Sequence, residues 1–293
     1  MTIEQLMVDA IDLHVHHAPS THAPDSLMRS REDALEAAKQ ARQMRMRAIV
    51  LKSHDYPTTP LAIMVSQLVP EVKVFGSICL DFEVGGLNSY ALESSAKLGA
   101  RMVWMPTHSS RNSMAKQSRL TGLPPEAKGL FLLNPKHKLV PEMGRILSLI
   151  KEYDMILASG HISPPEVFAL VEAALAMGIS KLVITHPLSR SSMDEGLSLE
   201  EQQRLGQMGA FIEHDYIGFL PNERRDDPEE MVEAIRAVGA EHCIITTDLG
   251  QYMNPPAAEG MRMFIALLLK NGITEHEIEL MAKVNPSKLL GLN

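Results

Sequence analysis

Short apolar runs, the first of them with a period of two, alternate along the chain with longer stretches in which apolar residues recur every three or four positions. The first pattern predicts strands and the second amphipathic helices. Ile11, Leu13 and Val15 alternate with Asp12, His14 and His16. Residues 10–16 are therefore expected to form a strand with the apolar trio on one face and the polar trio on the other. A helix is expected over 30–46, opened by Ser30 with acidic residues in its first turn, and carrying Ala34, Ala37, Ala38, Ala41 and Met44 on one face. Further strands are expected over 48–54, 72–80, 100–106, 155–161, 181–186, 210–215 and 243–248. Helix starts stand between them: Thr59-Pro60, Asn88, Pro141, Ser163-Pro164-Pro165-Glu166, the capping box Ser198-Leu199-Glu200-Glu201, and Asp227-Pro228. Helices near 257–270 and 274–284 finish the chain.

Strands that alternate with helices are parallel, because parallel neighbours need a crossover. Eight such units in a chain of 293 residues fit a single-domain α/β fold, the (β/α)8 TIM barrel, over residues 1–293. A doubly wound open sheet would carry a glycine-rich phosphate turn after an early strand, and this chain has none. The rhythm lengthens once, over about residues 107–141, where a small hairpin is expected at 131–140. An insertion of that length in a compact chain is a lid or binding loop or else disordered, and a lid is the preferred expectation.

Composition narrows the partners. The net charge is −8 and no Lys/Arg cluster forms a phosphate-binding stripe, so nucleic acid is not expected. No apolar segment approaches membrane-spanning length, and no basic start followed by an apolar run marks a secretory signal. Cys79 and Cys243 lie inside apolar runs and read as buried thiols of a reducing compartment. The expected setting is the cytoplasm, with a small-molecule substrate as partner and self-association into a homo-oligomer left open. The 19 methionines read as core filler.

The candidate chemistry sits at strand ends. In a (β/α)8 barrel the C-terminal ends of all strands open on one rim, where active sites lie. The first strand brings His14 and His16 there, the second Lys52 and His54, the fifth His161, the sixth His186 and the eighth Asp248. Imidazoles and a carboxylate converging from such distant positions suit a zinc or similar divalent ion. His14-Val15-His16, His161, His186 and Asp248 carry a resemblance to the metal-dependent amidohydrolase superfamily, and in particular to its predicted hydrolases. The ending Asn285-Pro286-Ser287-Lys288-Leu289-Leu290-Gly291 is similar to the C-terminal stretch of many members.

The resemblance implies that His14, His16 and His161 bind metal, that His186 binds a second ion or polarises the substrate, and that Asp248 touches the metal and takes a proton from water. It implies one or two divalent ions, zinc first among them. The reaction it implies is hydrolysis of a small-molecule amide, ester or lactone. Decarboxylation of a small carboxylic acid and a catalytically silent metal-binding barrel are the alternatives. The chain departs from the two-metal pattern at the fourth strand, Met102-Val103-Trp104-Met105-Pro106-Thr107-His108, which has no bridging Lys or Glu. Lys52 could replace that bridge as a carbamate. The preferred expectation is that it remains a cation, set back from a single metal, and contacts a substrate carboxylate. Glu213, His214 and Asp215 end the seventh strand either with one side chain in the mouth or as a surface charge cluster. His17, His22 and His108 are candidate pocket residues. Arg111, Arg190 and Arg224 are candidate substrate clamps, and Trp104 is barrel packing or a substrate platform.

Overall fold

The computed structural model describes residues 1–21, 32–114, 128–189, 192–221 and 226–292. Its strands pair in parallel in chain order. They are β1 Ile11–His16, β2 Ala48–Lys52, β3 in two pieces (Lys73–Phe75 and Ser77–Cys79), β4 Met102–Trp104, β5 Ile156–Ala158, β6 Leu182–Ile184, β7 Phe211–Asp215 and β8 Cys243–Thr246. The third strand breaks at Gly76; its first piece pairs with β2 and its second with β4. A Cβ on Gly76 would lie 2.3 Å from the Thr59 Cα, so only glycine lets strand and neighbouring helix meet there.

Backbone bonds beyond β8 close the sheet. The His16 amide donates to the Leu249 carbonyl at 2.8 Å, and the Asp248 amide donates to the His14 carbonyl at 3.0 Å. Val15 and Leu249 form a parallel bridge. The expected (β/α)8 barrel is the fold. Helices Ala34–Gln43, Thr59–Leu68, Ser89–Lys97, Glu142–Glu152, Pro164–Ala176, Leu199–Gln207, Pro228–Val238 and Ala257–Lys270 follow the strands in turn. Asn88 caps its helix, and Ser163/Glu166 and Ser198/Glu201 close reciprocal capping boxes, as their sequences predict. Two starts differ. Asp33, whose carboxylate accepts from the Glu36 amide, caps the first barrel helix, while Ser30 lies outside the described residues. Thr58, not Thr59, is the N-cap of the second.

Two apolar layers result from the pleat. Ile49, Leu51, Val103, Leu157 and Ile212 pack outward on the helices. Leu13, Val50, Met102, Trp104, Val183 and Phe211 fill the interior, closed below by Leu289 and Leu290. The C-terminal helix Asn285–Leu290 is fixed there by Asn285, whose amide donates to the Ala240 and Cys243 carbonyls.

One sequence expectation fails at β1. Its register against β2 shifts between Asp12 and Val15, the mark of a bulge. Ile11 and Leu13 therefore join the barrel interior while Val15 packs outward, so the apolar trio does not share a face. Asp12 leaves the histidines as well; its carboxylate accepts from the Thr247 hydroxyl at 2.5 Å and from the Thr247 amide. The extra residue re-aims His14 and His16 into the mouth. In the long insertion the Leu133–Leu139 antiparallel bridge is the expected small hairpin. The expected lid includes residues 115–127, which lie outside the described residues. No described helix is long and apolar enough to cross a membrane.

Candidate metal centre

At the top of the barrel the strand ends form a ring of imidazoles. Ring centroids run His14–His16 5.3 Å, His16–His54 5.0 Å, His54–His108 3.8 Å, His108–His161 5.8 Å, His161–His186 4.9 Å and His186–His14 6.0 Å. Asp248 stands inside one arc of it. Its Oδ1 lies 3.0 Å from His14 Nε2 and 2.9 Å from His16 Nε2, and its Oδ2 lies 3.8 Å from His186 Nε2. His161 Nε2 is 3.2 Å from His186 Nε2. Ligand atoms about 2.0–2.1 Å from a tetrahedral ion stand about 3.3 Å apart, so these spacings suit neighbours in one coordination shell. His14, His16 and Asp248 each place one donor atom within 4.8 Å of the other two, and the donor set fits a divalent transition metal.

The outer contacts fix which nitrogen each ring presents. Glu213 Oε1 lies 2.8 Å from His14 Nδ1 and also accepts from the Thr246 hydroxyl, so His14 turns Nε2 to the mouth. Ser113 Oγ lies 3.0 Å from His161 Nδ1 and does the same for that ring. Burial sets the charges. It holds His16 and His186 down to about 4, and His161 well below its usual value with help from neighbouring His186. These rings are neutral at pH 7, the form that offers a lone pair to metal. Burial opposes charge on His14 too, but the Asp248 and Glu213 carboxylates outweigh it and raise its pKa. Burial would raise Asp248; contact with His14 and His16 instead keeps it well below the usual carboxylate range. Asp248 takes a left-handed φ of 54°, imposed where the chain turns out of the closing ladder.

Lys52 points into the mouth as its alternation predicts, but it is not set back from the metal position. Its Nζ lies 2.8 Å from His14 Nε2, the nitrogen turned to the site, and 5.3 Å from the Trp104 ring centroid. Trp104 is fully buried in the interior layer and also meets the His14 ring, so it is the floor of the site. The seventh-strand trio is buried rather than a surface cluster. Phe211 is an inward residue, so Glu213 and Asp215 on the same face point in, and His214 points out with Ile212. Both His214 nitrogens are buried without a partner, and burial holds its pKa near 4. Burial and the nearby Asp248 raise Asp215 well above the usual carboxylate range.

His17 stands apart from the ring: its Nδ1 bonds the Ala18 carbonyl and its ring meets Tyr56 edge-on. Arg111 stacks on Phe131, with its guanidinium 4.2 Å from the ring centroid. His22, Arg190 and Arg224 lie outside the described residues. Asp81 was not singled out in the sequence. It lies one residue past the expected end of the third strand and accepts from the Thr107 and Ser109 amides and the Thr107 hydroxyl. The Cys79 thiol also donates to it, and His54 Nδ1 lies 3.2 Å from Asp81 Oδ2. Its sequence signal is its place directly after the apolar run of the third strand.

The fold is shared with solved structures of a probable dipeptidase, an amidohydrolase and a decarboxylase. A probable dipeptidase from Pseudomonas aeruginosa superposes with a TM-score of 0.65 at 13% identity, covering 99% of this chain and 96% of its own. An amidohydrolase from the same organism gives 0.61 at 12%, covering 99% and 98%. The 2,6-dihydroxybenzoate decarboxylase from Rhizobium gives 0.55 at 10%, covering 97% and 98%. The likeness is one of fold, and the fold is the barrel that the amidohydrolase resemblance implies. No curated protein matches by sequence. The model of a family of unknown function, DUF6282, matches residues 9–213, and the chain belongs to that family.

Proposed function

We propose that this protein is a metal-dependent hydrolase of a small-molecule amide, ester or lactone, working in the cytoplasm. The observation that carries the reading is the meeting of His14 Nε2, His16 Nε2 and Asp248 Oδ1 at the barrel mouth. These residues, with His161, would hold a divalent ion, zinc first among candidates. When bound, such an ion lowers the pKa of a coordinated water and polarises a substrate carbonyl. Asp248 Oδ2, the oxygen turned away from His14 and His16, accepts the proton of the attacking water and returns it to the leaving group. Glu213 keeps His14 in the tautomer that presents Nε2. His186, on the far side of Asp248, stands ready to donate to the oxyanion. Lys52 cannot donate to His14 Nε2 while that nitrogen binds metal, and we assign its ammonium to an anionic group of the substrate. Its conversion to a carbamate is the competing assignment.

A panel of lactones, amides and small carboxylic acids, run with metal-loaded protein in oxygen-labelled water, tests the reading. Label in the product is the expected result. Carbon dioxide release without label uptake makes the protein a decarboxylase instead, and silence across the panel at full metal content makes it a binding barrel. The companion His14→Ala/His16→Ala variant should lose most of its metal; retention at the wild-type content puts the site elsewhere.

A further inference from the structure

A second carboxylate faces the metal centre from β7. Asp215 is 1% exposed, and its Oδ2 has no hydrogen-bond partner. Donor atoms of His186, Asp215 and Asp248 lie within 4.8 Å of one another. Asp248 Oδ2 is the oxygen directed at His186, whereas Oδ1 serves His14 and His16. The two oxygens of Asp248 thus open on two different donor clusters.

Charge supports the same geometry. Glu213, Asp215 and Asp248 bring three buried carboxylates to this end of the barrel, and Lys52 is the only buried lysine or arginine among the described residues. Like charges at short range in a desolvated site are costly, so that without a cation among them one carboxylate keeps its proton. Lys52 sits on the His14 side. On the Asp215 side no described lysine or arginine forms an ion pair with the carboxylate.

We infer that His186, Asp215 and Asp248 form a second divalent-cation position, with Asp248 as the shared carboxylate between it and the His14/His16 position. The inference rests on the metal reading above and adds to it a ligand from β7. It removes the need for a bridge from the fourth strand, which has no suitable residue. One imidazole and two carboxylates are harder donors than the two imidazoles and one carboxylate of the first position, so manganese is better matched here than there. A cation at this position uses the same Asp248 oxygen that accepts the proton in the proposed hydrolysis. Its occupancy therefore opposes turnover.

The test is a metal titration of the full chain, stripped with chelator and reloaded with Mn2+ alone or Zn2+ alone. Wild type should bind two ions in two steps. Asp215→Asn should raise the second dissociation constant at least about tenfold and move the first by less than about threefold. Electron paramagnetic resonance of wild type with two equivalents of Mn2+ should show a spin-coupled pair, a readout that does not depend on any variant folding. One ion in wild type and in Asp215→Asn alike overturns the inference and leaves the first position intact. Two ions in both, or two uncoupled Mn2+ signals, overturns the role of Asp215 or of the shared carboxylate. No ion in wild type overturns the metal reading itself.

Discussion

Two groups at the barrel mouth each bring three possible donor atoms within 4.8 Å of one another: His14, His16 and Asp248 on the β1–β8 side, and His54, Cys79 and Asp81 on the β2–β3 side. They differ in what already surrounds the carboxylate. Asp81 takes backbone amides from Thr107 and Ser109, a hydroxyl from Thr107 and the thiol of Cys79. Its lone pairs are spoken for, and it ties the loop after β4 to β3. The Asp248 side-chain contacts are with His14, His16 and His186, whose facing nitrogens can bind a cation. A His/Asp cluster is therefore open to a cation only where hydrogen-bond donors have not saturated the carboxylate. The saturated cluster is architecture, and it positions the His54 ring against His16 and His108.

The largest effect should follow from Asp248→Asn. The amide keeps the shape but presents a neutral oxygen and an N–H donor to the imidazoles. Metal content should fall below about a tenth of wild type, and hydrolysis by about a thousandfold or more, since base and ligand go together. Elemental analysis and turnover on the best substrate of the panel measure both. Near-normal metal in this variant would erase the distinction between the two clusters.

Asp81→Ala should do the reverse. It strands buried donors from Thr107, Ser109 and Cys79, which costs about 3 kcal/mol of stability. Metal per folded chain should stay at the wild-type value. Denaturant unfolding monitored beside elemental analysis separates the two effects. A variant of unchanged stability that loses metal would make Asp81 a ligand and this account of the cluster wrong.

Much of this contrast could be read along the chain, and the part that could not has identifiable causes. Strand ends at His161, His186 and Asp248 follow from short continuous apolar runs that stop at polar residues, and they converge because a parallel barrel sends every strand end to one rim. The facing of β1 did not follow, because a bulge leaves no residue signature: the alternation of Ile11, Leu13 and Val15 is the same with or without it. The break in β3 is marked by Gly76, but a lone glycine in a strand signals either a bulge or a close approach, and only the packing of Thr59 decides. Glu213 and Asp215 were legible as sharing a face with Phe211. Which face looked inward depended on register, which the sequence of a two-sided buried strand does not specify.

The smallest effect tests the outward face of β7, between the two carboxylates of the site. His214 lies one residue from each of them, yet alternation turns it away from the mouth with Ile212. Its nitrogens have no partner, and burial lowers its pKa from 6.5 to about 4. In the unfolded chain it titrates near the ordinary value, so between these two pKa values the unfolded state binds more protons than the folded one. Stability is then full above pH 6.5 and declines as pH falls toward 4. At about pH 5.5 the loss from this one group is about 1 kcal/mol. His214→Leu removes the titration without removing a hydrogen bond. The variant should match wild type within about 0.5 kcal/mol at about pH 8, exceed it by about 1 kcal/mol at about pH 5.5, and keep the wild-type metal content. Comparing the two proteins at each pH cancels the acid response of the candidate metal ligands, which both retain. Parallel stability curves would mean that His214 finds a proton acceptor on the helix side. Loss of metal would mean that β7 presents its other face to the mouth, and with it Asp215 would leave the centre.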